Sequence, residues 1–481
     1  MLRESYIVRI TSISRILLLL ACSWLSAAAA AACPPDAVET RHEAALRDST
    51  LPYLACAGTI AIDNGGDAQG RIFYTAYLAS DVEQRPVAFV WNGGPGADSR
   101  LLHFAALGPV RIRDSRAEAN PDSPLAVSDL VFVDPVGTGF SRAESEGEAA
   151  SFYSTTADIA ATTDFILSWL EASGRTGAPI YLVGESFGTW RVAGVAEALA
   201  DRGRSVAGIA LISGGIPLGD LPDRHLMRAL SLPNRAATAL AHGKLAPELQ
   251  GDVEQVLQEA ERFARADYAP ALAHPAALSP VEREAIRARV AAFQGLSSEV
   301  VDHETLWVSP RTFRTELLGD SGRVLDVFDM RVTDGADPTP SGAAVLRYYR
   351  ERLCYAEGRY AGIEVEELPV GAQWQYDQAP ITPESLARAM AGEGPPSPSQ
   401  PWTLRAMEKM PDMRTFVAAG FYDSLNSCAA NEATVAALPA AVATRFALHC
   451  YPGGHMMYDD PEVAITFGRD IATFLSVTIR E

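Results

Sequence analysis

Ser186 sits in Gly184-Glu185-Ser186-Phe187-Gly188, between an apolar strand-like stretch, residues 178–183, and a helix-like stretch, residues 189–199. A serine hydroxyl becomes a useful nucleophile only when a base takes its proton and a third group orients that base. A G-x-S-x-G run on a strand–turn–helix presents the serine on a sharp turn, and in this arrangement an acid and then a histidine follow it in the chain. Both are present. Residues 416–423 read as a strand running into a loop that carries Asp423, residues 445–450 as the next strand, and residues 451–455 as a loop ending at His455. Loops beyond the carboxyl ends of parallel strands gather the active site. The order Ser186, Asp423, His455 therefore predicts a nucleophile, an acid and a base. His455 would take the serine proton, and Asp423 would hold the imidazole in its tautomer and stabilise the imidazolium. Of the eight histidines only His455 is so placed. His449 falls inside the strand, and His103 lies in an apolar helix-like run, where it reads as a packed core residue. An oxyanion needs two preorganised N–H donors. Phe187 supplies one, and the glycine-rich loop Trp91-Asn92-Gly93-Gly94-Pro95-Gly96 the other.

The surrounding pattern supplies the frame. Residues 58–63 and 71–78 alternate apolar and polar side chains around Asn64-Gly65-Gly66, the pattern of an antiparallel hairpin. Residues 86–91, 130–133 and 206–212 are short continuous apolar runs bounded by Gly or Pro, as buried parallel strands are. Residues 155–170 have helical spacing. Alternating strands and helices predict a mostly parallel sheet covered on both faces, an α/β class. Residues 216–400 are mainly helical and strand-poor, with helices over 247–266 and 279–293, and they close on the Gly/Pro/Ser-rich run 392–401, a linker or loop. The strand–helix pattern then resumes at 415–419, 428–438, 445–450 and 461–477. The expected organisation is a segment 1–32 removed on export, a core in two parts, 33–215 and 403–481, and a helical cap insertion, 216–402.

Composition narrows the classes. The 481 residues carry a formal net charge of −20, which argues against nucleic acid and anionic membrane as partners. Arg3, Arg9 and Arg15 precede an apolar stretch at 16–25 and an alanine run at 27–32, the layout of a secretory signal peptide. The stretch is shorter than the roughly 20 residues that span a bilayer, and no later segment is long and apolar enough. The expectation is a periplasmic or secreted protein, with lipid modification at Cys22 as a variant. Export permits disulfides among Cys33, Cys56, Cys354, Cys428 and Cys450, and the lack of any C-x-x-C spacing leaves no zinc or redox motif.

Five ordered blocks together resemble the serine carboxypeptidase family, on the α/β-hydrolase fold: Asn92-Gly93-Gly94-Pro95-Gly96, Asp134-Pro135-Val136-Gly137-Thr138-Gly139-Phe140-Ser141, Gly184–Gly188, the Asp423 loop, and His455-Met456. The short spacing is similar to the bacterial branch. The resemblance implies a mostly parallel sheet with a helical cap and no cofactor or metal. It also implies an oxyanion hole from the Gly94 and Phe187 N–H groups, and a site for the substrate's terminal carboxylate from Asn92, Gly93 and Glu185. Met456 would line the pocket of the leaving residue. A glutamate facing a carboxylate must be protonated, which requires a raised pKa. Three positions depart from the family pattern: Ala106 where a second glutamate would share that proton, Trp91 one place nearer the asparagine, and Ala97 in place of a cysteine. With Cys428 opening the helix after the Asp423 loop and Cys450 closing the strand before the His455 loop, a Cys428–Cys450 bridge is expected.

The expected function is an exported serine carboxypeptidase acting on peptides through an acyl-enzyme on Ser186. The alternatives are an esterase or acyltransferase on the same scaffold, which the absent second glutamate favours, and a catalytically dead binding protein, which would lack a member of the Ser186, Asp423, His455 set.

Overall fold

The computed structural model describes residues 32–66, 68–79, 85–219, 223–333, 339–365, 369–376 and 399–476. The expected signal segment, Cys22 within it, and most of the 392–401 linker lie outside the described residues.

One sheet of ten strands organises the chain, in the order β1-β2-β3-β7-β4-β9-β10-β11-β12, with β8 (Arg142–Ala143) paired to β3. Its first edge is an antiparallel meander of β1 (Val38–Ala45), β2 (Thr50–Asp63) and β3 (Gln69–Ala79). The expected hairpin is the end of this longer pair, with Asp63 opposite Gln69 across the turn. β4 (Val87–Trp91) leads into a two-stranded ribbon, β5 (Val110–Arg113) and β6 (Arg116–Ala119), and the sheet resumes with β7 (Asp129–Asp134). From β7 through β4, β9 (Ile180–Glu185), β10 (Val206–Ile212), β11 (Arg414–Gly420) and β12 (Phe446–Tyr451) every pairing is parallel. All residues of β4, β7, β9 and β10 are buried. Their continuous apolar runs follow from this, because a parallel strand covered on both faces has no solvent side to alternate toward.

Helices cover both faces. On one lie α1 (Thr155–Ala172), N-capped by the Ser154 hydroxyl accepting from Ala157 N–H, and α2 (Gly188–Asp201), with Trp169, Val192 and Leu199 against the sheet. On the other lies α4 (Pro461–Ser476), contributing Phe467, Ile471 and Phe474. Between β10 and β11 the described residues form helices and turns but no strand. The helices Leu232–Ala241, Val253–Phe263 and Pro280–Gln294 enclose a third apolar core, which receives Ala429 and Ala433 from α3 (Cys428–Ala436). The later part of the stretch behaves differently. Tyr348, Tyr349, Tyr355 and Tyr360 pack edge-on with Phe73, Phe104 and Phe140 and so join the core beneath the sheet.

His103 is a core residue, as its apolar surroundings predict. Its ring is stacked between Phe104 and Phe132, its Nε2 lies 2.7 Å from the Tyr77 hydroxyl, and burial pushes its pKa well below the ordinary value. The Cys428–Cys450 disulfide is formed, and a second links Cys33 to Cys56, tying the segment before β1 to the middle of β2. Cys354 is an exposed free thiol. Among the described residues no helix is long and apolar enough to cross a membrane, and no cluster of side chains could hold a metal ion.

Candidate active site

β9 and α2 meet in a turn whose middle residue, Ser186, has φ +57°. That left-handed conformation is strained for a residue with a Cβ. It persists because the turn is held on both sides. Ser186 N–H donates to Ile212 O at the end of β10 (2.8 Å), and Trp91 Nε1, at the end of β4, donates to Gly188 O (3.0 Å). Gly184 lets the helix close onto the strand, since a Cβ there would lie 2.4 Å from Gly188 O. Glu185 and Phe187 are buried on either side, and Ser186 is left half-exposed.

The loop after β4 lies directly on this turn. A Cβ on Gly93 would come within 2.5 Å of both Glu185 O and Phe187 N, so only glycine allows the approach. Gly94 follows with φ +102° and a cis bond to Pro95. The predicted oxyanion donors, Gly94 and Phe187, thus stand on two segments in contact. Asn92 is held at three atoms: its Oδ1 accepts from Leu102 N–H (3.0 Å), its backbone carbonyl accepts from Arg191 Nη1 (2.9 Å), and its Nδ2 donates to Glu185 Oε1 (2.8 Å).

Asp423 and His455 come from the loops after β11 and β12, which share backbone contacts. Tyr422 N–H donates to Gly453 O, and a Cβ on Gly420 would overlap the carbonyls of Gly453 and Gly454. His455 Nδ1 lies 2.8 Å from Asp423 Oδ2, both groups being buried. A carboxylate only accepts, so Nδ1 carries the proton and Nε2 is the free base position. Asp423 is itself held: Leu425 N–H donates to Oδ1 (2.8 Å), Asn426 Nδ2 to Oδ2 (3.1 Å), and Asn234 Nδ2 to its carbonyl (3.0 Å). Burial works against a charged ring at His455, but the charge and hydrogen bond of Asp423, with Glu185 beyond, outweigh it and raise its pKa. His455 Nε2 is buried and has no hydrogen-bond partner among the described residues, so the structure does not join it to Ser186 by a hydrogen bond. The link between the two is Ser213. It follows Ile212, the acceptor for Ser186 N–H, and its hydroxyl donates to His455 O (2.5 Å).

Glu185 has a second partner that the sequence reading missed. Tyr458, fully buried in a 3-10 turn (Met457–Asp459), donates its hydroxyl to Glu185 Oε2 at 2.5 Å. Burial raises the Glu185 carboxyl above its ordinary pKa, although His455, Tyr458 and Asn92 all favour its charged form. Ala106, where a second glutamate was sought, is buried in the π-helical turn Leu102–Leu107, its carbonyl accepting from Asn120 Nδ2 (2.9 Å). The only local signal for Tyr458 was its position three residues past His455. Met456 is half-buried against the core beneath the sheet.

Known proteins resemble the chain chiefly here. Residues 54–216, which hold β4, the glycine loop and the Ser186 turn, match the model of the serine carboxypeptidase family. The pheromone-processing carboxypeptidase kex1 of Neosartorya fischeri is 29% identical over 154 residues, 31% of this chain and 24% of that protein. The corresponding protein of Aspergillus oryzae is 30% identical over 152 residues, again 24% of its length. The alignments thus span about a quarter of these curated relatives. Among solved structures, the prohormone-processing carboxypeptidase KEX1(delta)p of Saccharomyces cerevisiae aligns over 88% of this chain and 91% of its own, with TM-score 0.51 and 15% identity, a likeness of fold. Residues 54–216 of this chain thus resemble the serine carboxypeptidase family, and the described fold resembles that of a solved carboxypeptidase.

Proposed function

We propose that the chain is an exported serine carboxypeptidase that removes C-terminal residues from peptides. The observation that carries the substrate class is the buried Asn92–Glu185 hydrogen bond immediately beside Ser186. It joins an amide donor to a carboxyl of raised pKa on the residue before Ser186. A protonated Glu185 donates to an anion instead of repelling it, and with Asn92 and the Gly93 backbone would hold the terminal carboxylate. The scissile carbonyl would then lie over Ser186.

In the reaction, Ser186 Oγ attacks the carbonyl carbon as its proton passes to His455 Nε2. The oxyanion is met by the Gly94 and Phe187 N–H groups. His455, its imidazolium stabilised by Asp423, gives the proton to the leaving amine, whose side chain would lie near Met456. Water then enters, loses a proton to the same nitrogen and frees the acyl group. The two disulfides support export, since such bonds persist in oxidising compartments.

An esterase reading draws on Ala106, which leaves Glu185 without a second carboxyl. One comparison separates the two. The mature protein is offered an N-blocked dipeptide with a free carboxylate, its C-terminal amide and an aryl ester between pH 4 and 8. Preference for the free acid is expected. Rapid ester cleavage with no such preference overturns the carboxypeptidase reading. Fluorophosphonate should label the wild type and leave Ser186→Ala unlabelled.

A further inference from the structure

We propose that Tyr458 sets the protonation of Glu185, and through it the pH range over which the chain accepts a free C-terminal carboxylate. This rests on the carboxypeptidase reading and adds a positioning residue to it.

Tyr458 is fully buried, and a buried hydroxyl needs a partner. Its partner is not a main-chain carbonyl but the carboxyl of Glu185, at 2.5 Å, on the oxygen opposite the one Asn92 serves at 2.8 Å. Asn92 cannot turn away, because Oδ1 is held by Leu102 N–H. Both donors favour the charged carboxyl, and burial opposes it. Other groups act on the same balance. His455 favours the charged form and Asp423 disfavours it, both from the neighbouring loops. Asp459, on the same turn as Tyr458, feels the charges of Glu185, Arg113 and Asp329.

A tyrosine differs from a second carboxyl in what it does with pH. Two carboxyls in contact share protons and titrate as a pair. Burial lifts the Tyr458 hydroxyl well above its ordinary range, so it stays a donor throughout the working range. Glu185 is then left to titrate with a fixed neutral partner. Removing the donor destabilises the carboxylate, and Glu185 stays protonated to higher pH. Strengthening the donor does the reverse.

Three forms of the enzyme test this: Tyr458→Phe, Glu185→Gln, and 2,3-difluorotyrosine placed at 458, which keeps the shape and donates more strongly. KM and kcat are followed from pH 4 to 8 on the free-acid dipeptide and on its methyl ester. Tyr458→Phe keeps the ring beside Phe467 (centroids 5.8 Å apart). It should carry the rise in free-acid KM to higher pH, with KM at pH 7 about tenfold lower, the size expected when one hydrogen bond to a charged group is lost. The fluorinated form should move the rise to lower pH, and KM for the ester should not change with pH in either. A free-acid profile that stays in place in both, or shifts shared equally by the ester, overturns the role of Tyr458. Glu185→Gln is fixed in the neutral state and should flatten the free-acid profile. If it does not, the carboxylate reading itself fails.

Discussion

At the scale of the residue, the chemistry depends on how each group is held. Asp423 spends its acceptors on His455, Leu425 and Asn426, and its carbonyl on Asn234. Asp423→Asn should leave the fold intact and present the wrong hydrogen-bonding group to Nδ1. A fall of kcat by about 10³–10⁴ is expected, and steady-state kinetics on the aryl ester would show it; a loss below tenfold would remove Asp423 from the mechanism. Legibility varied with how local the signal was. Ser186, Asp423 and His455 were singled out because each lies shortly after a strand, and strand ends are marked by apolar runs stopping at Gly or polar residues. Tyr458 was not. Its meaning lies in a hydrogen bond to a residue 273 positions away, and the local sequence carries no trace of it. Ala106 lines the core, and the second partner of Glu185 is a hydroxyl from another turn.

At the scale of the element, buried strands were legible and exposed ones were not. β10, Val-Ala-Gly-Ile-Ala-Leu-Ile, is apolar throughout because both faces are covered. β1, Val-Glu-Thr-Arg-His-Glu-Ala-Ala, is an edge strand with most side chains partly in water, and its pairing with β2 leaves little mark on composition. The helices between β10 and β11 were legible as helices. That Tyr348 to Tyr360 turn back under the sheet was not, since aromatic residues pack equally well in either core. The disulfide Cys428–Cys450 joins the start of α3 to β12, the elements flanking the Asp423 and His455 loops. Bridging residues 22 apart in sequence, it restricts the unfolded chain by about 3 kcal/mol. Replacing both cysteines by serine should lower the denaturant midpoint accordingly. Fluorophosphonate labelling at 25 °C should persist, because the Tyr422–Gly453 and Asp423–His455 contacts remain. Complete loss of labelling in a folded double variant would show that the bridge positions the loops directly.

The whole molecule carries 60 acidic against 40 basic side chains, and several acids are buried, Asp134 among them. Asp134 is 1% exposed and accepts from both Ser99 N–H and its hydroxyl. Burial first, and then the neighbouring Asp98, push its carboxyl well above the ordinary range. The sign follows by linkage. A carboxyl that binds its proton more tightly when folded adds stability that is fully present below its unfolded pKa near 4 and is lost as pH rises through the raised value. Easing the excess negative charge acts in the same direction. Thermal unfolding should therefore have a higher midpoint at pH 5.5 than at pH 8, and Asp134→Asn should reduce the difference. A midpoint that climbs steadily with pH would contradict this account.

The sheet order has a consequence for how such a chain is made. β10 ends at Ile212, and its partner β11 begins at Arg414. At roughly 5–20 residues per second, synthesis leaves about ten to forty seconds between them. Through that interval β10 is an unpaired, wholly apolar edge, the kind of surface that invites pairing with other chains. The turn carrying Ser186 can form in the same interval, before Asp423 and His455 have been synthesised. The nascent chain is therefore sticky. It has most to gain from a chaperone or a translocating channel while the helices before β11 are being made.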